Sequence, residues 1–174
     1  IIDLMLQAFQ AQFKPEYYEK AESMGMTVDQ IVTMASILER ETNENCDLKK
    51  IAGVYHNQKN TGMFLDSNAS VQYVLGERKP VLAIADTKLD SPYNTYVYPG
   101  LPVGPIGNPS IAAIEAVLDY SATDAYYFGL SANGEQIFGT NYDEFISLVQ
   151  STNMAISVDT DVIKNQDDKI PQAE

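Results

Sequence analysis

Residues 27–42, TVDQIVTMASILERET, limit what this chain can fold into more than any other segment. Thr27 followed three residues later by Gln30 is a capping-box signature, so a helix opens there. Behind it Ile31, Met34, Ala35 and Leu38 recur at the i, i+3, i+4, i+7 spacing of a buried helical face. At about 100° per residue, Glu39 lies roughly 80° to one side of Ile31 and Glu41 about 80° to the other. The two carboxylates therefore flank the stripe and do not form a side-by-side pair. Glu39, at the rim, is expected to be partly withdrawn from water, which makes a carboxyl hold its proton more readily and suits it to general-acid work. With one histidine, one cysteine and no tryptophan, the chain has few other side chains for acid–base chemistry.

At 174 residues the chain fits one domain with a real core. A net charge of -13 argues against binding the phosphate backbone of nucleic acid, and against docking on anionic lipid. A neutral polymer such as a glycan meets no such repulsion. Cys46 is alone, so no intrachain disulfide is possible. No stretch approaches the roughly 20 apolar residues of a membrane span. The opening IIDLMLQAFQ already reads as the interior of a helix, which predicts a domain excised from a longer protein.

Organisation follows from pattern and punctuation. Residues 1–13 read as an amphipathic helix with Ile2, Leu6, Phe9 and Phe13 on its apolar face. Residues 15–25 form a second helix closed by Gly25, and 48–60 another with Leu48, Ile51, Ala52 and Tyr55 on one face. Residues 62–76 start as a polar loop and end as a short helix. Segment 76–92 is turn-rich, and 92–109 packs proline, glycine, asparagine and tyrosine into an irregular stretch of the kind that carries function. Asn108-Pro109 reads as a cap and first residue of the next helix, with Ile111, Ile114, Val117 and Leu118 inward. Asn133-Gly134 marks a hairpin between AYYFGL and QIFGT, and a last helix spans about Tyr142 to Ser151. The sum is a helix-dominated α+β domain over 1–154, followed by an acidic tail over 155–174.

Several chemistries lack their residues. His56 stands alone, without H-x-x-x-H or C-x-x-C, so a zinc site is not expected. Asp66-Ser67-Asn68 resembles part of a calcium loop, but no glutamate follows at the required spacing. No cofactor is expected. What remains is carboxylate chemistry. Glycoside cleavage needs an acid on the leaving oxygen and a group that handles the oxocarbenium-like centre. In lytic cleavage of peptidoglycan the sugar's own 6-hydroxyl closes on the anomeric carbon, so one glutamate suffices.

Five segments in order carry a resemblance: ASILERET (35–42), IAGVYHNQ (51–58), GMFLDSNASVQYVLG (62–76), YNTYVYPGLPVGPIGNPSIAAIEAVL (93–118) and AYYFGLSANGEQIFGTNYDE (125–144). Together they resemble the endolytic murein transglycosylase, or YceG-like, family over about residues 20 to 146, most specifically in YNTY…GLP.GPI.NP. The resemblance implies an enzyme that cuts nascent glycan strands internally at the MurNAc-GlcNAc β-1,4 bond and leaves 1,6-anhydro-MurNAc ends. The family's glutamate in this motif matches Glu39, which would act as acid and then as base. It also implies Asn57, Asp66, Ser67, Asn68, Gln72, Tyr93, Asn94 and Tyr96 as sugar-binding residues, with Leu101, Pro102 and Asn108 shaping one wall of the cleft. Full-length members carry an N-terminal membrane helix, so the implied place is the outer face of a bacterial cell membrane, beside cell-wall synthases as possible partners.

The chain departs from the family pattern in places. The arginine of YNRL is Gln58, and the acidic residue of SDPT is Asn68. The histidines near the end of the pattern are Gln136 and Phe145. These departures motivate a second reading from another class, a non-catalytic module that holds glycan or a synthase. A hydrolytic muramidase is a third, with Asp66 as its second carboxylate.

Overall fold

The computed structural model describes residues 1–42, 46–130, 135–151 and 169–171. The helices are α1 (Ile2–Gln12), α2 (Pro15–Ser23), α3 (Val28–Glu41), α4 (Leu48–Thr61), α5 (Asn68–Leu75), α6 (Ile111–Leu118) and α7 (Tyr142–Ser151). Strands β1 (Tyr127–Leu130) and β2 (Gln136–Gly139) pair antiparallel, with Tyr127 opposite Gly139 and Leu130 opposite Gln136. The fold is thus the helix-dominated α+β expected. The Asn133-Gly134 turn and nearly all of the 155–174 tail lie outside the described residues.

The stripe on α3 organises the core. Ile31, Met34, Ala35, Ile37 and Leu38 are all 0% exposed, packed with Ile51 and Tyr55 of α4 and Ile114 and Val117 of α6. Burying a side chain of this size stabilises by about 1.5–3 kcal/mol, so the central helix is fixed by its neighbours rather than by its propensity. Thr27 accepts from the Gln30 amide at 3.2 Å, and the Gln30 side chain accepts from the Thr27 amide at 3.0 Å, completing the capping box. Gly53 on α4 has no room for a side chain: a Cβ there would sit 2.3 Å from the Ser121 carbonyl.

Two expectations are corrected. Helix α1 buries none of its residues among the described residues, and Ile2 and Leu6 are exposed. Only Phe13, just beyond its end, is buried, with Phe9 stacked on it. The cap of α6 is Ser110 rather than Asn108, because the Ser110 hydroxyl accepts from the Ala113 amide at 3.2 Å. Pro109 consequently lies outside the helix.

The irregular stretch 92–109 is held by side chains. Asn94, fully buried, donates to the carbonyls of Thr87 (3.0 Å) and Leu89 (2.8 Å) and accepts from the Tyr96 amide (3.0 Å). Thr95 accepts from the Ser67 amide at 3.0 Å and meets the Ser70 hydroxyl at 2.9 Å. Further on, the Ile106 amide donates to the Ser36 hydroxyl of α3 at 3.0 Å. The loop is therefore a wall clamped to α3 and α5, which is what a binding cleft requires.

Candidate active site

The C-terminal turn of α3 delivers its two glutamates to different places. Glu39 is exposed and reaches the start of α6, where its Oε2 accepts from the Ser110 amide (3.2 Å) and hydroxyl (2.6 Å). Glu41 is half-buried and reaches the start of α5, where its Oε1 accepts from the Ser67 hydroxyl (2.5 Å) and the Ala69 amide (3.0 Å). Helix N-termini offer unsatisfied amides, so each carboxylate ties α3 to a neighbouring helix. The withdrawal from water expected of Glu39 is thus found at Glu41.

A pocket of about 370 Å³ opens beside Glu41, lined also by Arg40, Asn68, Ala69, Gln72, Tyr73, Gly76, Glu77, Arg78 and Ile106. Glu39 is not among its lining residues. Both bonds to Glu41 fall on Oε1, and Oε2 has no hydrogen-bond partner among the described residues. Oε1 is thus the oxygen these two bonds fix.

Two buried tyrosines back this site. Burial pushes the Tyr55 hydroxyl well above its ordinary pKa, and the charge of Glu41 adds to that. Tyr96 is raised by burial first and then by the charges of Asp66 and Glu41. Both stay protonated as donors, and Tyr96 donates to Asn68 Oδ1 at 2.8 Å, orienting that amide at the pocket. At the rim, Tyr73 is exposed and packs against half-buried Tyr93 with ring centroids 4.8 Å apart.

Of the residues named from sequence, Asn68 and Gln72 line the pocket, Ser67 positions Glu41, and Tyr93 and Tyr96 stand behind the pocket's own side chains. Gln72 also donates to the Lys79 carbonyl at 3.1 Å. Asp66 is the one non-glycine with positive φ (48°) among the described residues, at the turn that leads into α5. Asn57 lies elsewhere: its amide donates to the carbonyls of Thr123 and Ala125, both at 2.9 Å, clamping α4 to the segment before β1. Asn94 is a loop clamp, Pro102 is buried, Leu101 packs on the core, and Asn108 is exposed; none of the four lines the pocket. Sequence reasoning passed over Glu41, Arg40, Tyr73 and Arg78. The available signal was the symmetry of the two glutamates about the stripe, which offers either edge equally.

The positions where histidine was expected have structural work away from this pocket. Gln136 accepts from the Asp47 amide at 2.9 Å, at the start of α4. Phe145 is buried with Tyr127, Tyr142 and Met63. His56 is buried too, its Nε2 3.0 Å from the Val117 carbonyl and its ring stacked on Tyr120. No group of three or more His, Cys, Asp or Glu among the described residues is arranged to hold a metal ion. Nor is any described helix long and apolar enough to cross a membrane.

Comparison with known proteins gives a consistent picture. The model of the YceG-like family matches residues 1–151. A protein named endolytic murein transglycosylase from Streptococcus pneumoniae serotype 2 (strain D39) is 36% identical over 149 residues, covering 83% of this chain and 27% of that protein. Its namesake from Bacillus subtilis (strain 168) is 38% identical over 122 residues, 70% of this chain and 34% of that one. The chain therefore spans about a quarter to a third of the curated relatives it matches. A crystal structure of a yceG-like protein from Listeria monocytogenes superposes with a TM-score of 0.79 at 36% identity, over 85% of this chain and 48% of that one.

Proposed function

The chain belongs to the YceG-like family, and we propose that it is the glycan-cutting domain of an endolytic murein transglycosylase, with Glu41 as its acid and base. The observation that carries this reading is the half-buried Glu41 carboxylate, fixed through Oε1 on the wall of a pocket. In this reading Glu41 Oε2 protonates the oxygen that leaves the anomeric carbon of MurNAc, and that C–O bond breaks. The carboxylate then takes the proton of the 6-hydroxyl as that oxygen bonds to the same carbon. The net result moves one proton from the 6-oxygen to the leaving oxygen and consumes no water, giving a 1,6-anhydro end.

Asn68 and Gln72 supply hydrogen bonds to the sugar, and exposed Tyr73, backed by Tyr93, offers a ring face to it. Glu39, which the family resemblance favours, is the competing assignment for the same chemistry. Its exposure, its two bonds to Ser110 and its absence from the pocket favour a structural role. Murein lies outside the cell membrane, so the domain would act there, and attachment to the membrane would come from another part of a longer protein.

The test is digestion of uncrosslinked glycan strands, with products read by mass spectrometry. Anhydro ends about 18 Da lighter than reducing ends, lost in Glu41→Gln and kept in Glu39→Gln, are expected. The reverse pattern would return the role to Glu39. Reducing ends would make the domain a hydrolase. Binding without products would leave the non-catalytic module.

A further inference from the structure

The chain contains two arginines in 174 residues and carries a net charge of -13, yet both arginines line the same pocket. The ion pairs among the described residues are all made by lysines: Lys14 with Glu115, Lys20 and Lys49 with Asp119, and Lys79 with Asp86 and with Glu77, the last of which lines the pocket. Neither Arg40 nor Arg78 has an ion pair among the described residues, and both are exposed. Of the pocket's own acids, Glu41 is bonded through Oε1 to Ser67 and Ala69, and Glu77 pairs with Lys79 at 3.9 Å.

The backbone makes room for one of these guanidinium groups. A Cβ at Gly107 would lie 3.3 Å from Arg40 Nε and 3.5 Å from Nη2, so the absence of a side chain lets the guanidinium lie against the wall of the 92–109 loop. A planar guanidinium with free N–H groups in a pocket matches a carboxylate better than a neutral sugar hydroxyl.

Resting on the proposed glycan-cutting function, we infer that Arg40 and Arg78 form a carboxylate-reading subsite. It selects strands whose muramyl residue beside the scissile bond carries a free carboxylate. Two sources share that chemistry: the lactyl carboxylate of a peptide-free muramyl residue, and a carboxylate on its stem peptide. The subsite draws the anion in and sets the register of the strand, with Glu41 on the same pocket left to do the cleavage.

The experiment uses three sets of uncrosslinked strands: peptide-free, with stem peptides bearing free carboxylates, and with those carboxylates amidated. Binding is measured in the Glu41→Gln background and cleavage in the wild type. The inference expects the amidated strands to bind about tenfold or more weaker than at least one carboxylate-bearing set. Arg40→Gln and Arg78→Gln should erase that preference, so that amidated and carboxylate-bearing strands bind alike. Whichever carboxylate-bearing set binds more tightly identifies the source. Equal binding of all three sets, with cleavage intact, would overturn the inference and leave the proposed function standing. Failure to bind or cut any strand by a folded protein would overturn both.

Discussion

Glu39 and Glu41 leave the same helical turn two residues apart, and each carboxylate ends at the start of another helix, accepting one amide and one hydroxyl hydrogen bond. They differ in what lies beside them. Glu39 looks onto water next to Ser110, whereas Glu41 looks into a pocket backed by Tyr55 and Tyr96. Identical side chains with matching bonds thus become a strut at one edge of the stripe and a candidate acid at the other. In the proposed function, the difference between the two comes from their neighbours.

The sharpest way to break this comparison is the paired amide substitution. Glu41→Gln should lower strand cleavage by about a hundredfold or more, the usual worth of a general acid, while Glu39→Gln stays near the wild-type rate. Similar losses in both variants would collapse the distinction. Removing the hydroxyl partners sharpens it. Ser67→Ala takes one of two donors from Glu41 and is expected to lower cleavage about tenfold by letting the carboxylate wander. Ser110→Ala removes the α6 cap as well as a Glu39 contact, and should cost about 1 kcal/mol of stability in denaturant unfolding with kcat unchanged.

The smallest effect separates titration of the scaffold from titration of the site. Burial lowers the His56 pKa below 6.5, with the Val117 carbonyl opposing that shift. The unfolded chain therefore binds more protons than the folded one between the two values, and stability falls as the pH drops through 6.5 towards the folded value. His56→Gln should flatten that slope in unfolding measured across this window. A cleavage profile that keeps its acid limb in His56→Gln reports a group of the site itself; one that loses the limb reports the scaffold.

Much of the fold was legible because its signals are local. The Thr27–Gln30 capping box, the α3 stripe, the opposing strands around 133–134 and the span of α7 each follow from spacing within a few residues. Where a choice depended on distant atoms, the pattern was silent or misled. Ser110 rather than Asn108 caps α6, because the cap is decided by which side chain reaches the Ala113 amide. The apolar face of α1 lies open among the described residues, since amphipathicity marks a face that can be covered without supplying its cover. Asn57 and Asn94, expected at the sugar, clamp carbonyls 66 and 68 residues away in one case and across a loop in the other. A polar side chain carries no mark of whether its partner is backbone or ligand.

The sequence by itself determined a helix-centred α+β domain, a carboxylate at each edge of its central stripe, and the segments that identify the family. Those depend on periodicity, capping chemistry and residue identity, which are properties of the chain alone. Only the tertiary structure decided which edge faces a pocket, because that depends on α5, α6 and the 92–109 loop packing against α3 from elsewhere in the chain. It also brought Arg40 and Arg78, 38 positions apart, to one pocket in an otherwise acidic protein. Angular position around a helix is local information, whereas exposure, field and partners are set by whatever folds against it.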